Sequence, residues 1–97
     1  MAEYARVVTF TADAAALEAL LKDIKSSDGA PEGVAATRIT VLADRAAGRV
    51  IVSIRFGSEE DLRKGGEVLE AMSPPDVGTM RRVSVDSYEV VLDRQPS

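Results

Sequence analysis

The sequence predicts an α+β domain of the ferredoxin-like type, with two helices on one face of a four-stranded antiparallel sheet. Two segments have the 3.6-residue periodicity of amphipathic helices, and four others are short and rich in β-branched residues. Their order along the chain is β-α-β-β-α-β, and a five-residue turn joins the second and third strands as a hairpin. With 97 residues, positions 1–97 are expected to form one domain.

The first half supplies one strand and one helix. Residues 4–12, YARVVTFTA, form a predicted strand whose two faces are both partly apolar. Asp13 occupies an N-cap position, and the helix that follows should end near Ser27. Its apolar side chains recur at i, i+3, i+4 and i+7, which places on one face Leu17, Leu20, Leu21 and Ile24. Pro31 and Gly33 then favour a loop.

The second half supplies the hairpin, a second helix and a last strand. Residues 36–43 and 49–56 are the predicted hairpin strands, and Gly48 can take the left-handed conformation that the turn needs. Ser58 begins a capping-box-like segment, SEED, at the start of the second helix. That helix is expected to end before Pro74, and residues 82–92 alternate as a fourth strand. Its predicted apolar stripe is Leu62, Leu69 and Met72.

Gly65 and Gly66 lie inside the second helix, where each costs up to about 1 kcal/mol relative to alanine. Two explanations remain open. The glycines let the helix pack close on the sheet, which is the favoured interpretation, or they leave room for a ligand.

Alternation along the strands predicts which side chains share a face. Counting every second residue groups Arg6, Val8 and Phe10 of the first strand with Ser53 and Arg55 of the third, on the face away from the helices. Such a face needs cover, so we expect a symmetric homodimer. The candidate interface residues are Arg6, Phe10, Ser53 and Arg55. Arg6, Arg38 and Arg55 could bind an anionic group of a substrate. The favoured expectation is that Arg6 and Arg55 pair with Glu89 or Asp86, within the chain or across the dimer interface.

The opposite grouping predicts a pocket between sheet and helices. It is lined by aliphatic side chains and one aromatic ring, which suits a flat apolar ligand. The candidate ligand-binding residues are Val7, Thr9, Ile54, Phe56, Gly66 and Tyr88. Tyr88 and Thr9 carry hydroxyls that can orient a substrate, although a tyrosine in a last strand more often belongs to an interface or a core.

Composition excludes several functions. The net charge of −4 argues against binding nucleic acid, which requires a basic surface. The chain has no cysteine and no histidine, so it lacks thiolate chemistry and the commonest general base and metal ligand, and we expect no metal and no cofactor. No basic and apolar leader begins the chain, and no apolar run is long enough to span a membrane. We expect a cytoplasmic protein with no membrane partner.

The segment GRVIVSIRFGSEEDL, with the hairpin turn DRAAGR before it and SYEVVL after it, resembles the antibiotic biosynthesis monooxygenase-like proteins. The resemblance covers about residues 4–92 and implies a ferredoxin-like chain that pairs into a dimeric α/β barrel. Members include cofactor-free oxygenases of polycyclic phenols, haem-degrading enzymes and proteins with no assigned reaction.

Three departures from that family pattern matter. Phe56 occupies the position where members commonly have tryptophan, Ala5 stands at the asparagine position of the haem-degrading branch, and the axial histidine of that branch has no counterpart. Haem degradation is therefore not expected. The resemblance implies a cofactor-independent monooxygenase acting on an aromatic molecule. The alternative is a non-catalytic dimer that binds a small apolar ligand or a partner, and a ligand-sensing domain without its DNA-binding part is a remoter one.

Overall fold

The computed structural model describes residues 2–26, 32–71 and 80–96. The elements in chain order are β1 (Glu3–Thr11), α1 (Ala14–Ser26), β2 (Ala36–Asp44), β3 (Arg49–Phe56), α2 (Glu59–Ala71) and β4 (Arg81–Val90). This order confirms the predicted β-α-β-β-α-β arrangement. Where the end of an element is both predicted and described, the two positions differ by at most two residues. Met72, Pro74 and the loop residue Pro31 lie outside the described residues.

The two helices begin where the sequence places their caps. Asp13 accepts a hydrogen bond at Oδ1 from the backbone N–H of Ala16, at 2.8 Å, and so satisfies a free donor of the first turn of α1. Ser58 Oγ accepts the N–H of Asp61 at 3.1 Å and caps α2 in the same way. Both predicted N-caps are confirmed.

The four strands form one antiparallel sheet in the order β2-β3-β1-β4, with β1 and β3 at its centre. At the hairpin turn Gly48 has a φ of +67°, the left-handed conformation that favours glycine. Its carbonyl accepts the N–H of Ala12 at 2.9 Å, which ties the turn to the chain after β1. The predicted hairpin and its glycine are both confirmed.

The helices pack on one face of the sheet through two apolar clusters. Leu17 and Leu20 of α1 are buried with Val50 of β3, and Leu21 and Ile24 pack against the same cluster. The predicted apolar face of α1 is therefore confirmed. The second cluster joins β3 to α2 around Phe56, which is fully buried, and its other members are Val34, Ile54, Ala36, Val52, Leu62, Val68 and Leu69.

The face assignment of β1 made from the sequence is wrong by one residue. Arg6 pairs with Ile54 and Phe10 pairs with Val50, so both share the face of β3 that the helices cover. Val7 and Thr9 lie on the opposite face, across from Ser53 and from Ile51. We call that opposite side the open face: it contains Val7, Thr9, Leu42, Ile51, Ser53, Arg55, Asp86 and Tyr88.

Candidate functional site

A cleft open to solvent, with a volume of about 560 Å³, lies between α2 and the β1–β4 side of the sheet. This volume falls within the range of about 300–1,000 Å³ that small-molecule sites occupy. The sheet contributes Arg6 and Ser87, which are paired residues of neighbouring strands. The helix contributes Glu59, Glu60, Leu62, Arg63 and Gly66. We call this depression the cleft.

The floor of the cleft exists because α2 carries a glycine there. A Cβ built on Gly66 would meet only the Arg6 Nε atom, at 3.9 Å, so the position has space for a side chain that the sequence leaves out. Leu62 lies one turn earlier on the same helix and adds an apolar wall. The cleft thus combines an apolar strip on α2, at Leu62 and Gly66, with the charged side chains that flank it on the same helix and with a polar end on the sheet.

Arg6 is the buried cation of the cleft. Its side chain is only 7% exposed, and its Nη2 atom lies 2.7 Å from Glu70 Oε1 on α2. Glu70 is half-exposed and also accepts a hydrogen bond from Arg82 Nη1, at 2.8 Å and on the same oxygen. Two guanidinium groups therefore share one carboxylate, so these three side chains together carry one net positive charge. The cleft is also lined by the carboxylates of Glu59 and Glu60, of which Glu60 is paired with Lys64.

The shared carboxylate is held in its ionised form. The hydrogen bond from Arg82, together with the positive charges of Arg82 and Arg6, lowers the pKa of Glu70, although burial opposes the shift. The outer wall of α2 is ionic as well, because Glu60 pairs with Lys64 at 3.1 Å and Arg63 pairs with Glu67 at 3.0 Å. These exposed pairs between neighbouring turns contribute little to stability.

Helix α2 packs closely on the ring of Phe56 at Gly65. A Cβ on Gly65 would stand 2.5 Å from Cε1 and 2.8 Å from Cζ of the Phe56 ring, closer than real Cβ contacts come. Gly65 is therefore the position where α2 approaches the sheet, and the favoured interpretation of the glycine pair is confirmed for it. Gly66 fits the other interpretation, because it faces the cleft.

The structure separates the six candidate pocket residues. Gly66 lines the cleft, while Ile54 and Phe56 are buried in the core beneath α2. Val7, Thr9 and Tyr88 lie on the open face, so they do not meet the other three. Whether any of the six binds a ligand stays a prediction.

The four candidate interface residues are divided in the same way. Ser53 and Arg55 lie on the open face, where the sequence places them. Arg6 and Phe10 lie under the helices instead, because the phase of β1 is shifted. Within the chain the expected ion pairs are wrong, since Arg6 contacts Glu70 and Arg55 contacts Glu3 and Asp93. Pairing of Arg55 across a dimer interface stays a prediction.

Arg55 ties together three parts of the chain on the open face. Its Nη1 atom lies 3.9 Å from Glu3 Oε2 and also contacts Asp93, which follows β4. The hydrogen bond and the charge of Arg55 lower the pKa of Asp93. The Arg55 Nε atom is buried and has no hydrogen-bond partner in the described part of the chain.

Sequence reasoning missed most of the cleft. Of the cleft residues, the sequence predicts only Gly66 as part of a pocket. It places Leu62 in the apolar stripe of α2 and Arg6 on the face away from the helices, and it indicates no role for Ser87. One signal was available: an arginine in an otherwise apolar strand requires a carboxylate partner, and Glu70 lies one helical turn after the two glycines. What the sequence does not reveal is that α2 crosses β1 at Arg6.

Fold and site together define a ferredoxin-like α+β structure with a small-molecule-sized cleft beside its second helix. No family model, curated protein or solved structure matches the chain. Within residues 2–26, 32–71 and 80–96, no helix is long and apolar enough to cross a bilayer. The same residues contain no cluster of three side chains able to hold a metal ion.

Proposed function

We propose that this protein binds a small aromatic molecule in the cleft. The observation that carries the proposal is the composition of the cleft: an apolar strip at Leu62 and Gly66, flanked by charged side chains of α2, adjoins a polar end at Arg6 and Ser87. Apolar surface supplies affinity for a flat ring system, and a few convergent polar groups fix its orientation. Gly66 supports this assignment, because a larger residue at that position would occupy the space.

Filling the cleft tests the proposal. In Gly66→Leu the new side chain enters the cleft, whereas Gly57→Leu places the same side chain outside it, at a glycine whose Cβ meets nothing within 4 Å. Titration with 2-naphthamide, an uncharged aromatic probe, is followed by amide ¹H–¹⁵N NMR spectra. We expect saturable shifts of the Gly66 and Ser87 signals in the unmodified protein and in Gly57→Leu, and none at Ser87 in Gly66→Leu.

The result that would contradict binding in the cleft is equally direct. If no naphthalene probe, neutral or anionic, shifts the Gly66 or Ser87 signals at millimolar concentration, the cleft is not a site for aromatic molecules. Equal binding by Gly66→Leu would place the probe elsewhere.

A second candidate function is cofactor-independent oxygenation of an electron-rich phenol. Arg6 favours it, because a buried guanidinium at the end of the cleft stabilises a phenolate, the form that reacts with O₂. The test substrate is anthrone, which with one O₂ gives anthraquinone and one water. A rate of oxygen uptake that falls in Arg6→Lys would support the oxygenase function. A rate no higher than that with heat-denatured protein would reject it and leave ligand binding as the proposed function.

We also propose that two copies pair through the open face as a homodimer. Leu42 and Tyr88 are each 55% exposed there, and Ile51 and Val7 lie between them. Arg38 on β2 and Asp86 on β4 stand near opposite edges of this face, so a twofold rotation that lays β2 over β4 brings unlike charges together. The resulting assembly would be a dimeric α/β barrel.

Sedimentation measures this assembly. The chain has a mass of 10.3 kDa, so we expect a species of twice that mass at micromolar concentration. Leu42→Lys should shift it to the monomer, whereas Ile39→Lys puts the same charge on the opposite side of β2 and should not. A monomer in the unmodified protein would reject the dimer.

Membership of the antibiotic biosynthesis monooxygenase-like family and a cytoplasmic location remain part of the proposal. The fold supports the first, and the absence of cysteine fits a reducing compartment. Detection of the protein in the periplasmic or secreted fraction of its source cells would reject the second.

A further inference from the structure

We infer that the cleft selects molecules carrying a carboxylate, and that Glu70 sets this selectivity by competing with the ligand for Arg6. The inference rests on the proposed binding of aromatic molecules in the cleft. The structural basis is the group formed by Arg6, Glu70 and Arg82, in which one carboxylate oxygen accepts from both guanidinium groups.

The charges of Arg6, Glu70 and Arg82 do not cancel one another. Arg6 is 7% exposed and lines the cleft, and its contact with Glu70 uses Nη2. Glu70 is also bound to Arg82, so one negative charge serves two cations. A ligand carboxylate brings the missing negative charge to a guanidinium that is already desolvated, where a charge-assisted hydrogen bond is strong.

Glu70 has a second partner to which it can remain bound. If a ligand carboxylate takes the Arg6 guanidinium, the contact between Glu70 and Arg82, at 2.8 Å, keeps the displaced carboxylate paired. Arg82 is about half-exposed, as is Glu70, so both can adjust without opening the core. Glu70 is thus a positioning residue. It holds the Arg6 side chain in the cleft when no ligand is bound, and it releases that side chain when a ligand carboxylate binds the guanidinium.

The two partners of this exchange predict opposite effects. In Glu70→Gln the competing charge is gone, so affinity for an anion should rise. In Arg82→Gln only Arg6 is left to pair with Glu70, which holds Arg6 more tightly, so affinity for an anion should fall. An ion pair that only stabilises the fold predicts no change in the ratio of anion to amide affinity, and an effect of the local field alone predicts that removing another nearby carboxylate changes that ratio as much as Glu70→Gln does.

The experiment compares two probes of nearly equal shape, 2-naphthoate and 2-naphthamide, by NMR titration of the full chain. We expect naphthoate to bind the unmodified protein roughly tenfold more tightly than the amide, as a charge-assisted contact gives. This ratio should rise severalfold in Glu70→Gln, fall in Arg82→Gln and approach one in Arg6→Met. Amide affinity should stay constant in Glu70→Gln and Arg82→Gln, and thermal unfolding shows which variants are folded.

Glu89→Gln controls for charge alone. Glu89 lies two residues along β4 from Ser87, on the same face, and forms no ion pair with the residues that the structure describes. Removing its charge alters the local field without touching Arg6. An increase in naphthoate affinity equal to that of Glu70→Gln would overturn the role of Glu70.

The possible failures are distinguishable. If both probes shift Gly66 and Ser87 with equal affinity, the cleft binds aromatic molecules but does not select carboxylates, and the inference is wrong while the proposed function stands. If neither probe binds, the proposed function fails with it. Should Arg6→Met not fold, the comparison of Glu70→Gln with Glu89→Gln still decides whether Glu70 competes for Arg6.

Discussion

Replacing the two adjacent glycines of α2 one at a time tests how the helix meets the sheet. Gly65→Ala and Gly66→Ala are the same chemical change at neighbouring positions of one helix, and each gains up to about 1 kcal/mol of helix propensity. Neither glycine has a positive φ, so the backbone does not require glycine at either position. Any difference between the two variants therefore comes from what the new methyl group contacts.

The contacts differ sharply. At Gly66 the methyl would have no neighbour closer than 3.9 Å, so Gly66→Ala should be stabilised by about 1 kcal/mol. At Gly65 it would lie 2.5 Å from the Phe56 ring, and Phe56 is fully buried and cannot swing outward. Overpacking of this kind costs about 1–3 kcal/mol, which cancels or exceeds the propensity gain. We expect Gly65→Ala to be the less stable variant by about 1–3 kcal/mol.

Urea denaturation at fixed protein concentration measures this difference in the free energy of unfolding. Fixed concentration matters because association would otherwise contribute to the measured stability. The corresponding gap in Tm is about 4 °C or more for a domain of this size. Phe56→Leu provides the companion test: in that background Gly65→Ala should cost less, because the ring that it meets is absent. Equal stability of the two alanine variants would refute the close approach of α2 at Gly65.

Three further predictions concern the cap, the face of β1 and the acid groups. Ser58→Ala should lower the free energy of unfolding by about 1 kcal/mol, measured by urea denaturation, because the Asp61 N–H loses its acceptor; no change would show that water replaces the cap. Phe10→Asp should lower the free energy of unfolding by about 2 kcal/mol or more and so unfold the chain, because Phe10 packs against the α1 cluster. Circular dichroism measures this loss. A variant that stays folded but becomes monomeric would instead indicate that Phe10 lies at the dimer interface. Because the pKa of Glu70 is lowered in the fold, its ionised form stabilises the protein above the ordinary pKa of 4.5, and this contribution is lost as pH falls through the lowered value. Glu70→Gln should therefore lose less stability than the unmodified protein when pH is taken from 6 to 3 in thermal melts, and parallel curves would contradict the shift.

The elements were predictable because each carries a local signal. Periodic leucines define α1, Ser58 and Asp13 mark where helices begin, and Gly48 permits the hairpin turn. None of these signals needs a distant partner. Local chemistry alone therefore fixes the order of helices and strands, and that order leads to the fold.

The face of β1 was not predictable in the same way. Both of its faces carry apolar residues, and the consecutive pair Val7 and Val8 puts one valine on each. The alternation of apolar and polar residues therefore does not indicate which face of β1 lies under the helices. Its phase follows from a contact 64 residues away, in which Arg6 reaches Glu70 across the space that Gly66 leaves. The cleft depends on that contact. Because the sequence prediction is out of phase by one residue on β1, it places Val7 and Thr9 in the pocket and leaves Arg6 out of it.

Arg55 also has a consequence for how the protein is handled. Its carboxylate partners, Glu3 and Asp93, lie near the two ends of the described chain, so both ends are brought to one corner of the open face. A peptide fused at either end starts beside the surface that two copies would share. An affinity tag or fused fluorescent protein at that corner would obstruct pairing, so assembly should be measured on chains from which such additions have been cleaved.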